Sequence, residues 1–156
     1  MRIKKSCREK LADAKDLPKV VAITPGMRKQ WGIGTVVIPA PAEVDEIMKR
    51  VPKGKLITIN DIRVILARRH GANIGCPITT GLFARIAAGA AEEDEAQGKK
   101  RITPYWRTLK VGGELNARYP GGIEGQKERV EEEGHKIISR GKRFFVRNYE
   151  HALVTF

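Results

Sequence analysis

The sequence predicts a mainly α-helical fold with small β elements, built around a helix-turn-helix with a winged-helix-like outline. Three observations carry this. Thr58 or Asn60 can cap a helix that holds Ile62, Ile65, Leu66 and Arg69 at helical spacing as far as about His70. Gly71 then stops it, because glycine accepts left-handed backbone without a Cβ clash. After a turn over residues 72–75, a second helix opens at Cys76-Pro77, proline being tolerated in a first turn. Its apolar stripe is Ile78, Leu82 and Ile86, with Phe83 alongside. Gly81, Ala84, Ala87, Ala88 and Gly89 keep its other side thin enough to lie close to a neighbour. Two helices joined by a tight turn, the second slim, is how a recognition helix is presented to a nucleic-acid groove.

The flanking elements follow in order. Ile3, Cys7, Leu11 and Ala14 recur at helical spacing, so residues 1–16 read as an amphipathic helix ended by Leu17-Pro18. Residues 19–24 and 35–38 are β-prone and are separated by a Pro25-Gly26 turn, a short basic stretch and two glycines. Pro39-Ala40-Pro41 is a stiff joint before an amphipathic helix over 42–50, with Val44, Ile47 and Met48 inward and charges that complement the helix dipole. Glu92-Glu93-Asp94-Glu95 reads as a solvated helix end, and Lys99-Lys100-Arg101 as a basic patch or a plain loop. Gly112-Gly113 suggests a hairpin-like turn within 108–115. Pro120 opens a helix over about 121–133, which Gly134 ends. Residues 136–138 and 144–147 flank Arg140-Gly141-Lys142-Arg143 as a basic hairpin, a wing or a surface ribbon. Ala152, Leu153, Val154 and Phe156 are expected to pack back on the body.

At 156 residues and 41% hydrophobic content the chain suits one domain with a modest core. No apolar run approaches a membrane span, and nothing hydrophobic follows the basic first residues, so neither membrane nor signal peptide is expected. Cys7 and Cys76 are too few and too distant for a disulfide framework or a zinc site, which fits a reducing cytoplasm and no bound metal. The net charge of +12 is the strongest compositional signal and points to a phosphate-rich partner.

Three blocks, in this order, resemble the DNA-binding domain of alkylguanine-DNA alkyltransferases and alkyltransferase-like proteins. The first is Val51-Pro52-x-Gly54-Lys55 with Thr58, Asp61 and Ile62. The second is Pro104-Tyr105-Trp106-Arg107, where the repair enzymes carry Pro-Cys-His-Arg. The third is Tyr119-Pro120-Gly121-Gly122-Ile123 running to Glu133-Gly134-His135, similar to the family's Tyr-Ser-Gly-Gly-Leu to Glu-Gly-His. The resemblance covers about residues 51–135 and leaves out the first fifty residues and the C-terminal tail. It implies a fold of the alkyltransferase C-terminal type. The expected division is an extension over 1–41 packed on the main domain, a helix-turn-helix DNA-binding domain over 42–135, and a hairpin and tail over 136–156.

In that family the repair enzymes transfer an alkyl group to the motif cysteine, activated through the adjacent histidine and a distant glutamate. The chemistry needs a thiolate and a base to generate it. Tyr105 stands at the cysteine position and Trp106 at the histidine position. A phenol ionises near pH 10 and an indole offers no basic nitrogen, so suicide transfer at this motif is not expected. The alkyltransferase-like branch also replaces this cysteine while still binding alkylated bases. The family's flipping tyrosine aligns with Ile59 and its space-filling arginine with about Pro77 or Ile78, so neither side chain is retained.

The expectation is therefore a non-enzymatic protein that binds double-stranded DNA, alkylated or not, without a cofactor and with room for a repair-protein partner. Thr79, Thr80 and Arg85 would face the groove, and Lys53, Lys55, Arg63 and Arg69 the phosphates. Tyr105, Trp106, Arg107, Tyr119 and Glu133 would form the base pocket, Tyr105 and Trp106 either as a stacking wall or as filling of a retired site. Two alternatives stay open: a catalytically dead scaffold serving as a protein-interaction or regulatory module, and an alkyltransferase that uses Cys76 at a helix N-terminus. His70 and His151 read as surface residues.

Overall fold

The computed structural model describes residues 5–156. In chain order the elements are α1 (Cys7–Ala12), β1 (Lys19–Ala22), α2 (Arg28–Trp31), β2 (Thr35–Ile38), α3 (Pro41–Lys49), β3 (Ile57–Thr58) and α4 (Ile59–His70). They continue with β4 (Ile74–Gly75), α5 (Pro77–Ala96), β5 (Thr108–Leu109), α6 (Gly122–Glu132), β6 (Ile137–Arg140) and β7 (Arg143–Val146). The fold is mainly helical with small sheets.

α4 and α5 form where local chemistry dictates. Thr58 caps α4: its hydroxyl accepts from the Asp61 amide at 3.2 Å, and the Asp61 carboxylate accepts from the Thr58 amide at 3.0 Å. Gly71 closes the helix at φ 66, a conformation open to glycine. The turn is then stapled, since Arg63 donates through Nε to the Gly75 carbonyl at 2.8 Å. A side chain on Gly75 would collide with the Arg63 backbone, so α4 and β4 approach as closely as they do because residue 75 is glycine.

α5 runs through the centre of the molecule, and its thin side is the buried one. Ala84, Ala87, Ala88 and Ala91 pack in the core with Val44, Ile47 and Met48 of α3 and with Leu11 of α1. Small residues let helix backbones come close, and Gly89 sits so near Cys7 of α1 that a Cβ there would overlap the sulfur. The large residues at the start of the stripe face outward instead: Ile78 is 67% and Leu82 39% exposed.

Three expectations are corrected here. The first helix spans only Cys7–Ala12, because Ser6 and Glu9 form a capping box at its start and Asp13 leaves helical backbone at its end; Ile3 lies outside the described residues. The acidic block does not end the helix in solvent. Glu93 accepts from the amides of Cys7 and Arg8 at 2.8 and 2.9 Å, Asp94 pairs with Arg8 and Lys99, and Glu95 with Arg129. These carboxylates anchor α1 and α6 to α5. The glycine turn over 112–113 does not make a hairpin: β5 pairs in parallel with β3, and Glu114 bridges to Phe145 of β7.

The N-terminal strands enter the same body. β1 pairs antiparallel with β2, and β2 pairs in parallel with β4, the short strand between α4 and α5. At the other end β6 and β7 form the basic hairpin, paired from Ile137–Val146 to Arg140–Arg143. Leu56 bridges to Leu153, and the Arg50 guanidinium lies 4.4 Å from the Phe156 ring, so the tail packs back. His70, expected at the surface, holds Glu43 of α3 at 2.6 Å.

Candidate nucleic-acid interface

The exposed start of α5 forms one wall of an open groove of about 700 Å³. Ile78, Leu82 and Arg85 lie along that wall at i, i+4 and i+7, one helical face. Ile59, Asn60 and Arg63 of α4 line its base, and Lys110, Val111, Asn116 and Arg118 come from the segment after β5. Arg143 of the hairpin completes the rim. Five cations therefore meet a single carboxylate, Glu114. Glu114 is held by Arg143 at 2.8 Å and lies 3.7 Å from Lys110. Arg63, Arg85 and Arg118 have no carboxylate partner among the described residues. The groove is a positively charged channel with an apolar lip, a surface suited to a polyanion.

The expected contact residues separate into two groups. Arg63 and Arg85 line this groove, whereas Thr79, Thr80, Lys53, Lys55 and Arg69 do not. Thr80 is corrected outright: its side chain is fully buried on the core side of α5, two positions past the exposed Ile78 on a helix that turns about 100° per residue. Arg69 sits 3.6 and 3.5 Å from Glu43 and Glu46 of α3, so its charge is already countered. Lys53 and Lys55 are exposed in the turn before β3, beside Gly54 and Glu133. Sequence reasoning missed Lys110, Arg118 and Arg143 as groove residues; the basic run at 140–143 was the one local signal.

The five residues expected to form a base pocket do gather, but as a closed cluster. Tyr105 is 2% exposed, and its hydroxyl donates to Glu92 of α5. Its ring meets Trp106 and Tyr119 edge-to-face at 5.4 Å each. The Tyr119 hydroxyl donates to the Thr108 carbonyl at 3.1 Å. Burial, and then the neighbouring Glu92, raise the Tyr105 phenol above its ordinary value; burial does the same to Tyr119. Both stay protonated, so position 105 presents no anionic nucleophile.

Glu133 is the hub of this cluster. It accepts from Arg107 Nη2 at 2.7 Å and Nε at 2.9 Å, from the Trp106 indole at 3.0 Å, and from the Gly54 amide at 3.3 Å. Burial alone would raise its carboxyl, but these donors outweigh it and hold the carboxyl below its ordinary value. Arg107 also donates to the Val51 carbonyl at 2.8 Å, and Arg129 lies over the Trp106 ring at 4.4 Å. Tyr105 is therefore filled space with its hydroxyl satisfied inside the protein, whereas Trp106 is half-buried and lines an open hollow with Lys100, Arg101 and Arg107. A hollow of about 430 Å³ beside Tyr105 is lined by Glu92, Glu95, Glu128 and Glu132 against Arg129, a lining that repels phosphate.

Cys76 is 5% exposed and packs with Ile23 and Val36 under the sheet, while its amide donates to the Val37 carbonyl at 2.9 Å. Among the described residues no cluster of histidine, cysteine and carboxylate side chains could hold a metal, and no helix is long and apolar enough to cross a membrane.

Comparison with protein-family models and with curated proteins gives no match. Among solved structures, the chain is similar to the crystal structure of S. pombe Atl1 in complex with damaged DNA containing O6-carboxymethylguanine. Sequence identity is 21%, the match covers 74% of this chain and 94% of that one, and the TM-score is 0.51. A second structure, S. pombe ATL in complex with DNA, matches at 20% identity over the same shares with a TM-score of 0.46. The likeness is one of fold.

Proposed function

We propose that this protein is a non-enzymatic DNA-binding protein on an alkyltransferase-like scaffold, engaging duplex DNA through α5 and the groove beside it. The observation that carries the reading is the groove itself, where five cations surround an exposed helix start and face one carboxylate. The fold likeness to Atl1, whose structure holds damaged DNA, supports nucleic acid as the ligand. The hairpin β6–β7 acts as a wing, with Arg143 reaching the groove rim. Neither expected nucleophile is presented for alkyl transfer: a protonated phenol occupies position 105, and Cys76 is buried.

The burial of Tyr105 supports recognition at the duplex surface over a base-accepting pocket. Fluorescence anisotropy with paired duplexes, one alkylated at guanine and one unmodified, at two salt concentrations tests this. Binding to both that weakens steeply with salt is expected. Tight binding restricted to the alkylated duplex would mean that the aromatic cluster opens. No binding at low salt would overturn the reading in favour of a protein-interaction module.

A further inference from the structure

We infer that the hollow beside Trp106 is a docking site for an acidic protein segment that carries an apolar side chain between its carboxylates, on a surface separate from the groove. The hollow, of about 560 Å³, is lined by Lys49, Lys100, Arg101 and Arg107 around Ile102, Pro104 and Trp106. Four cations line it and no carboxylate does. Lys49 and Arg107 are countered from behind, by Asp45 at 3.1 Å and Glu133 at 2.7 Å, whose side chains are 6% and 7% exposed. Lys100 and Arg101 are exposed and have no carboxylate partner among the described residues.

The segment that carries these two is held at both ends. At one, Lys99 pairs with Asp94 at 3.3 Å, and its amide donates to the Asp94 carbonyl at 3.0 Å. At the other, the Thr103 hydroxyl donates to buried Asp45 of α3 at 2.6 Å. A loop fixed in this way loses little freedom when a ligand arrives. Charge complementarity then sets the sign of the occupant, and the apolar residues set its form. Carboxylates meet a guanidinium in paired hydrogen bonds, which Arg101 is free to make. Ile102, Pro104 and Trp106 offer apolar surface that an ionic contact alone leaves wet, and an aliphatic or aromatic side chain covers it. A stacked nucleotide base fits less well. The Trp106 ring already has the Arg129 guanidinium 4.4 Å from its centre and the Tyr105 ring across it at 79°, and its indole N–H is taken by Glu133. Nor does the hollow continue the groove. The two share no residue, and buried Thr108 and Leu109 of β5 separate Arg107 on one from Lys110 on the other. The site therefore stands whether or not the groove holds DNA.

Two fluorescein-labelled synthetic peptides test it by anisotropy: one of glutamates around a central leucine and phenylalanine, the other of glutamates alone. The first should bind the full chain at low salt, and at least about tenfold more tightly than the second, because only it buries apolar side chains. The variant Lys100→Ala, Arg101→Ala removes two exposed charge pairs and should weaken the first peptide about tenfold. Its thermal melt and its salt slope on duplex DNA should match wild type. Failure of the first peptide to bind, equal affinity for both peptides, or unchanged affinity in the double variant would overturn the site. So would a double variant that loses affinity for a single-stranded oligonucleotide and not for the peptide, which would make the hollow a nucleic-acid surface. A reduced duplex slope would overturn it too, by joining the hollow to the groove. Each of these leaves the duplex-binding reading standing, whereas loss of duplex binding by wild type overturns that reading and not this one.

Discussion

Glu133 shows how much a single buried carboxylate can hold together. With Arg107 it forms a pair in which the side chains are 7% and 13% exposed, and two further donors fill its remaining lone pairs. Removing one partner of such a pair leaves the other charge buried, which costs about 3–5 kcal/mol. Glu133→Ala should therefore lower the melting temperature by roughly 6–20 °C, read by calorimetry. The pH dependence has a definite sign. The folded carboxyl is held below the ordinary value of 4.5, so its contribution is complete above pH 4.5 and is lost as pH falls through the lower folded value. Urea midpoints should show this acid-linked loss in wild type and a smaller one in Glu133→Gln. Tyr105 and Tyr119 carry the opposite linkage: stability is complete below their ordinary value of 10.0 and declines as pH rises towards their raised folded values.

At the scale of elements, α4 and α5 obey different rules. α4 is fixed from within by its cap and its glycine stop. Thr58→Ala removes the acceptor for the Asp61 amide and should cost about 1 kcal/mol, visible as a lower urea midpoint at unchanged slope. α5 is fixed from outside. Its hydrophobic residues run around much of its circumference, so periodicity alone assigns no inner face. Packing decides: the alanine side lies against α1 and α3, and the isoleucine and leucine at its start are left to the groove. Its acidic C-terminal half holds the amides of α1 and the Arg129 side chain of α6, tying both helices to α5.

For the molecule as a whole, the net charge of +12 is unevenly committed. Arg8, Arg69, Arg107 and Arg129 are paired with carboxylates, whereas the groove keeps Arg85 and Arg118 without one among the described residues. Each phosphate-contacting cation contributes about one to the slope of log affinity against log salt. Arg85→Ala and Arg118→Ala should each reduce that slope by about 1, while Arg69→Ala should leave it unchanged. A reduced slope for Arg69→Ala with none for Arg85→Ala and Arg118→Ala would mean that DNA lies along α4 and α3 instead of in the groove.

By itself the sequence determined the local decisions: where α3, α4 and α6 begin and end, the stop at Gly71, the β6–β7 hairpin, the basic balance, and the absence of a thiolate at position 105. These depend on caps, turn residues and spacing within one or two turns of chain. Tertiary structure decided the rest. It set the buried face of α5, the pairing of β2 with β4, the closure of Tyr105 and Trp106 around Glu133, and the joining of Arg63, Arg85, Arg118 and Arg143 into one groove. Each of those brings together side chains far apart in the chain, as Cys7 and Glu93 are. Which of them meet is settled by how the α5 core packs, and no local pattern encodes that outcome.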